Sequence, residues 1–168
     1  MHEAHLMNLP TSATMMYGHV ESIEQRVDHL LTIRDLQARC PEGNWGFIAF
    51  IPWIFRSSGT RLEQEGVVSQ FSPLEYVRII AVSRLILNNI RNIQASWLTV
   101  GKATAQLALH SGANDMGSIM IEENVVSSAG AHNQFDAEGI QKAIRDAGFE
   151  PRLRDQLYRP REYVATVK

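Results

Sequence analysis

Short apolar runs alternate along the chain with longer segments in which apolar residues recur at helical spacing. The first run, residues 12–17, predicts a strand, and a capping box that starts at Ser22 predicts a helix to about Arg39. A second strand is predicted over residues 46–51 and is expected to end at Pro52. Strands that alternate with helices are typical of βα units around a parallel sheet.

The rest of the chain continues this alternation after a long connection over residues 53–70. A helix is predicted from Pro73 to about Leu87. Apolar residues lie on all of its sides, which indicates that the helix is buried. Four further elements follow in order: a strand over 93–97, a helix over 102–110, a short strand over 116–120, and a helix that Asp136 caps and Gly148 ends. No repeat or linker divides the chain, so residues 1–168 are interpreted as one domain with a C-terminal tail over 151–168.

Charge and composition narrow the classes of partner. The 16 basic and 18 acidic residues give a net charge of -2, which provides no electrostatic reason to expect nucleic acid or a membrane surface. The longest apolar stretches, 47–55 and 79–87, are shorter than the roughly 20 residues that span a bilayer. The N-terminus lacks the pattern of a secretion signal, so we expect a cytoplasmic protein that binds small molecules.

The residues with chemical potential cluster where the predicted strands end, as in α/β barrels. Glu21 follows the first strand and either reaches a ligand or complements the helix N-terminus, while His19 either shuttles a proton or is a structural hydrogen-bonding residue. Trp53 and Trp97 either stack on an aromatic ligand or fill the core. Arg56 either clamps a carboxylate or lies in solvent.

A denser polar cluster follows the later strands, with Asn114, Asp115 and Glu122 near several glycines. Such a loop suits ligand binding, and one of its carboxylates suits a general base; the alternative is a solvated, capped loop. No histidine and cysteine spacing indicates zinc, and the lone Cys40 excludes an internal disulfide and any site built from several thiolates, so no metal site is expected in this chain.

Several ordered motifs at these strand ends resemble one family. They cover residues 14–21, 47–53, 93–97, 112–118, 120–126 and 147–151. The chain resembles the radical S-adenosylmethionine enzymes that act on futalosine derivatives in menaquinone biosynthesis. Within that group, the later motifs point to the cyclic dehypoxanthine futalosine synthases rather than to the aminofutalosine synthases.

The resemblance implies a fold, cofactors and a reaction. The fold is α/β, the C-terminal part of a radical S-adenosylmethionine (β/α) TIM-type barrel with parallel strands alternating with helices. In the full-length family, S-adenosylmethionine is cleaved at a [4Fe-4S] cluster, and the resulting radical removes a ribose hydrogen from dehypoxanthine futalosine. The substrate then closes a spiro ring and loses an electron and a ring proton.

The same resemblance implies site residues. Gly18, His19 and Glu21 match a motif that lies near S-adenosylmethionine. The residues implied to contact the substrate are Trp53, Arg56, Gln94, Trp97 and Asn114. Asp115 and Glu122 are the candidate acceptors of the ring proton.

The chain departs from the family pattern at the cluster, because the Cys-x3-Cys-x2-Cys loop that precedes this region is absent. We therefore expect the isolated chain to be inactive, and to need a missing N-terminal half or to associate with itself through exposed strand edges. The alternatives are an aminofutalosine synthase-like or deazaflavin-forming radical enzyme, or a non-catalytic barrel remnant that binds a nucleoside or a partner.

Overall fold

The computed structural model describes residues 1–69, 72–119 and 136–161. Its elements, in chain order, are α1 (His2–Leu6), β1 (Thr11–Tyr17), α2 (Ile23–Ala38), β2 (Phe47–Ile54), α3 (Arg61–Gln64), α4 (Pro73–Ile86), α5 (Trp97–Val100), α6 (Lys102–His110), α7 (Ala137–Asp146), β3 (Leu153–Arg154) and β4 (Pro160–Arg161). The predicted alternation of strands and helices is confirmed. Neither α1 nor the β3–β4 hairpin was predicted.

The sheet is parallel. β1 pairs with β2 so that Thr14 lies opposite Ile51. Two isolated bridges extend this pairing, Phe50 to Ile93 and then Gln94 to Asp115, both parallel. A third extended segment, residues 92–95, therefore lies beside β2, and a fourth, residues 114–115, lies beside the third. The result is an open parallel α/β sheet, and no closed barrel forms among the described residues.

Two strand predictions were wrong in extent. β2 does not end at Pro52 but continues to Ile54. Pro52 has no N–H to donate to the third segment, and its carbonyl accepts a 2.8 Å hydrogen bond from the hydroxyl of Ser96, where that segment leaves the sheet. The strand predicted over 93–97 is reduced to a bridge, since α5 begins at Trp97.

The fourth predicted strand, 116–120, also differs, because the bridge falls one residue earlier, at Asp115, and residue 120 lies outside the described residues. The connection over 53–70 contains the short helix α3.

Local capping signals specify the helix starts. Ser22 and Gln25 form the predicted reciprocal capping box at the start of α2. Ser72 caps α4, with Pro73 in its first turn, and Asp136 caps α7. The expected burial of α4 on all sides was wrong. Tyr76, Ile80 and Ser83 are buried, but Leu85 on the same helix is 79% exposed.

The helices cover one face of the sheet. α2 packs on β1, α4 packs on β2, and contacts continue from α4 to α6 and from α6 to α7. Ala13, Met15 and Tyr17 of β1 point into this core, whereas Ser12, Thr14 and Met16 alternate with them and are exposed. We call the uncovered side, which carries Thr14 and Met16, the open face.

Candidate functional site

The open face brings together three of the predicted site residues. Trp53 lies opposite Met16 in the β1–β2 register, and the two side chains are 42% and 56% exposed. Gln94 and Asp115 are half-buried and bridge each other on the third and fourth segments. Gln94 lies between the core residues Ile93 and Ala95, and the core residue Met116 follows Asp115, which places the Gln94 and Asp115 side chains on the open face.

Gln94 offers an amide for hydrogen bonding on this face. No described residue forms a hydrogen bond with its side chain. The amide instead lies against Gly117, where a Cβ atom would come within 2.9 Å of Nε2. Gly117 has φ of +74°, so glycine is favoured there both by the backbone and by the close approach of Gln94.

The loop after β1 is organised by Glu21. Its Oε1 accepts a hydrogen bond from the Gly18 N–H at 2.6 Å, and its Oε2 accepts one from the His19 N–H at 3.0 Å. The His19 Nδ1 atom lies 3.1 Å from Oε2 and accepts a 2.7 Å hydrogen bond from the Val20 N–H. The three predicted cofactor residues therefore form one compact turn.

Arg26 completes this turn from α2. Its Nε donates to Glu21 Oε1 at 2.6 Å, and its Nη1 donates to Glu75 Oε1 of α4. Burial raises the pKa of Glu21, but the hydrogen bonds from the backbone and from Arg26 outweigh it and lower the pKa to about 2. Glu21 is consequently a carboxylate bound by donors of its own chain. Neither Arg26 nor Glu75 was singled out from the sequence, because their partnership spans 49 residues.

Asp115 is held in a second ion pair. Arg154 of β3 donates to it through both Nε and Nη2, the latter to Oδ1 at 3.0 Å, and the Gly117 N–H donates to the same Oδ1 at 2.6 Å. The Tyr158 ring covers the guanidinium at 3.7 Å, and burial, followed by the Asp115 charge, raises the pKa of Tyr158 to about 12. Arg154 is thus a site residue that the sequence interpretation missed, since it lies in the tail.

Three other predicted substrate residues point elsewhere. Trp97 is 4% exposed and belongs to the core, and Arg56 donates to the Thr99 carbonyl. The Asn114 Oδ1 accepts hydrogen bonds from the Ile93 N–H at 2.9 Å and from Arg84 at 3.1 Å, so this side chain joins the strand to α4. The predicted proton acceptor Glu122 lies outside the described residues.

Two cavities flank these groups. The larger, about 540 Å³, lies between α7, the segment after Asp115 and β3, with a mainly apolar wall that includes Ile140, Ile144 and Phe149. The smaller, about 220 Å³, lies beside Glu21 and Arg26 on the side of β1. Among residues 1–69, 72–119 and 136–161, no three His, Cys, Asp or Glu side chains are placed to hold a metal ion. Within the same ranges, no helix is long and apolar enough to cross a bilayer.

Comparison with known proteins identifies the family of this chain. The family model described as the CofH/MqnC C-terminal region matches residues 44–167. The chain belongs to this family. It is 43% identical over 158 residues to a cyclic dehypoxanthine futalosine synthase of Streptomyces coelicolor, which covers 94% of this chain and 38% of that protein. The family resemblance drawn from the motifs is therefore confirmed.

A relative that carries another name is almost as similar to this chain as the Streptomyces coelicolor protein is. A 5-amino-6-(D-ribitylamino)uracil--L-tyrosine 4-hydroxyphenyl transferase of Methanococcoides burtonii is 41% identical over 163 residues, covering 93% of this chain and 44% of that protein. A cyclic dehypoxanthine futalosine synthase of Halalkalibacterium halodurans is 41% identical over 149 residues, covering 88% of the chain and 38% of that protein. The chain spans about two fifths of the length of the curated relatives that it matches.

Proposed function

We propose that this chain forms part of a radical S-adenosylmethionine enzyme that cyclises dehypoxanthine futalosine, with the open face as one wall of its active site. The observation that carries the proposal is the 43% identity to the Streptomyces coelicolor cyclic dehypoxanthine futalosine synthase over 94% of the chain. The geometry supports it, because that face carries an exposed indole, a paired carboxylate and an amide that has no hydrogen-bond partner among the described residues.

Each group has a proposed role that suits its surroundings. Trp53 stacks on a ring of the substrate, since its indole is exposed beside Met16 on the open face. Gln94 supplies both a donor and an acceptor to a polar edge of the substrate. Asp115, paired with Arg154, is the proposed acceptor of the ring proton. Arg56, Trp97 and Asn114 then act through the packing of the segments that carry these groups.

The proposed cofactors fit this chain unequally. A methyl group added to Gly18 would meet no atom within 4 Å, so the loop held by Glu21 leaves room for S-adenosylmethionine. A [4Fe-4S] cluster does not fit, because it needs three thiolates and the sequence contains one cysteine, Cys40. In this proposal, the cluster is bound by a part of the enzyme that the 168 residues do not include. The 168 residues themselves form one incomplete barrel domain of a cytoplasmic enzyme.

A second function has an observation in its favour. The Methanococcoides burtonii transferase is 41% identical to the chain, only two percentage points below the Streptomyces protein. The second candidate is therefore transfer of a tyrosine-derived 4-hydroxyphenyl group to 5-amino-6-(D-ribitylamino)uracil. A non-catalytic role in binding a nucleoside or a partner is the remaining alternative, and the experiment below includes it.

A chimaera tests these candidates against one another. The matched region of the Streptomyces coelicolor relative is replaced by this chain, and the protein is reconstituted anaerobically with iron and sulfide. It receives S-adenosylmethionine with dehypoxanthine futalosine, or with tyrosine and 5-amino-6-(D-ribitylamino)uracil. We expect 5'-deoxyadenosine and the cyclised product, detected by mass spectrometry, only with the first substrate. Product only from the second pair would instead establish the transferase, and a loaded cluster without either product would favour a non-catalytic role.

Matched tryptophan variants of the chimaera test the open face. Trp53→Ala removes the proposed stacking surface and is expected to raise the KM for dehypoxanthine futalosine at least about fivefold, because one aromatic contact contributes about 1–3 kcal/mol. Trp45→Ala is the control, since Trp45 is 36% exposed but precedes β2 and lies under Arg159. Equal KM values in the two variants would remove Trp53 from the substrate site.

A further inference from the structure

Arg26 occupies a position that helix physics disfavours. It is the fourth residue of α2, in the first turn, where the helix dipole is positive and acidic side chains are preferred. Its side chain is only 11% exposed, so the guanidinium is largely withdrawn from water. A buried cation at a helix N-terminus needs compensation, and its two carboxylate partners supply it.

The contacts of Arg26 join three elements at the end of β1. Its Nε donates to Glu21 in the loop, its Nη1 donates to Glu75 in the first turn of α4, and its guanidinium carbon lies 4.9 Å from the centre of the Tyr17 ring. Glu75 is itself fixed, because its backbone N–H donates to the Ser72 cap of α4. Arg26 is therefore bound by Glu75 of α4 and in turn binds the loop through Glu21.

The backbone of this loop is held by the Glu21 carboxylate. The N–H groups of Gly18 and His19 both donate to Glu21, and no other described group accepts from them. The orientation of these two N–H groups thus depends on where the Glu21 carboxylate lies, and Arg26 determines that position. A lysine at position 26 has one nitrogen, whereas the two observed contacts use two nitrogens of a planar fork.

We propose that Arg26 is a positioning residue that holds the loop over residues 18–21 in its ligand-ready shape through Glu21, and that Glu75 of α4 in turn positions Arg26. The ligand of this loop is S-adenosylmethionine, and that part of the inference rests on the proposed function. The position of the loop relative to α4 is thereby set by an ion pair between helices and not by β1 alone.

The first test uses the chain itself and needs no activity. In Arg26→Gln, we expect hydrogen exchange at the Gly18 and His19 amides to become at least about tenfold faster. The pKa of Glu21, followed by carbon-13 NMR of its carboxyl group, is expected to rise by about one unit or more, a tenfold change in proton affinity. Arg26→Lys is expected to restore part of the Glu21 titration but not the amide protection.

Two further variants keep the test decisive. Arg34→Gln is the matched control, because Arg34 lies on the same helix, is 40% exposed and forms an ion pair with neighbouring Asp35. Glu75→Gln leaves Arg26 and Glu21 in place, and we expect it to move the same two readouts in the same direction by a smaller factor. If Arg26→Gln does not fold, Glu75→Gln provides the test of the proposal. Unchanged amide exchange and Glu21 titration in the folded variants would show that Arg26 only ties α2 to α4, and would overturn the proposal.

The chimaera described above separates this inference from the proposed function. If both hold, Arg26→Gln raises the KM for S-adenosylmethionine at least about tenfold while kcat changes by less than about threefold, as expected for lost binding. An inactive chimaera, together with the expected NMR changes in the chain, would contradict the function and still support the positioning role. A variant with unchanged KM for S-adenosylmethionine would contradict the ligand assignment.

Discussion

His5 is a buried titratable side chain with an incomplete set of partners. It is a fully buried residue of α1, its Nε2 lies 3.1 Å from Thr11 Oγ1, and its ring packs edge-on against Phe47 at 4.6 Å. Its Nδ1 atom has no hydrogen-bond partner among the described residues. Burial, the N-terminal charge and His2 lower the pKa of His5, so the folded chain favours the neutral ring.

The first prediction concerns the pH dependence that follows. Because the folded pKa of His5 lies below the unfolded value of about 6.5, its stabilising contribution is complete above that pH and declines as the pH falls. Between pH 7.5 and pH 5, we expect the wild type to lose up to about 2 kcal/mol more unfolding free energy than His5→Gln does. Urea unfolding at the two pH values measures the difference. His110→Gln, at an exposed position on α6, is the control, and parallel pH profiles for wild type and His5→Gln would contradict the prediction.

The sequence places the candidate site residues at strand ends but does not specify their contacts. Glu21 was left between ligand binding and helix capping, and the structure shows a third arrangement in which it binds the N–H groups of its own loop. Arg154 was missed because its partner Asp115 lies 39 residues away, and no local spacing encodes that pair. Trp53 and Trp97 look equivalent in sequence, yet only the fold determines that one is exposed and the other is buried.

At the level of elements, local signals were sufficient for helix starts but not for strand ends. The hydroxyls of Ser22 and Ser72 accept hydrogen bonds from backbone N–H groups three residues later, so these helix starts could be predicted from short patterns. The end of β2 at Ile54 depends on its pairing with Tyr17 of β1, a distant partner that a short window of sequence does not contain. Gly112, which opens the fourth segment, shows the same dependence on a distant partner.

The second prediction compares two glycines with left-handed backbones. Gly112 has φ of +121°, its carbonyl accepts from Arg84 Nε at 2.7 Å, and an added Cβ would lie 2.7 Å from the Arg84 Cβ. Gly148 at the end of α7 has φ of +84° and open space around it. We expect Gly112→Ala to lower the free energy of unfolding by about 2 kcal/mol more than Gly148→Ala, because only the first adds a collision to the backbone strain. Equal losses in urea denaturation would show that no collision occurs.

At the scale of the whole molecule, the sheet has one covered face and an unpaired edge. Within the described ranges, β1 pairs only with β2, and on its other side the Thr14 carbonyl accepts a hydrogen bond from the His29 ring at 3.1 Å. Exposed side chains of β1 and β2, Met16 and Trp53 among them, extend the uncovered surface. The expected incomplete barrel agrees with this open sheet, although the closed form stays a prediction.

The open edge predicts that the isolated chain associates with itself, because unpaired strand groups and apolar side chains are available together. Sedimentation velocity over a concentration series should show a rising weight-average mass for the wild type. Thr14→Lys places a charge beside the free edge and is expected to shift the association midpoint to at least about tenfold higher concentration. Leu85→Lys is the control, since Leu85 is 79% exposed on α4, away from the edge. If both variants shift the midpoint equally, the helix layer and not β1 mediates association, and a monomer at every concentration would contradict self-association altogether.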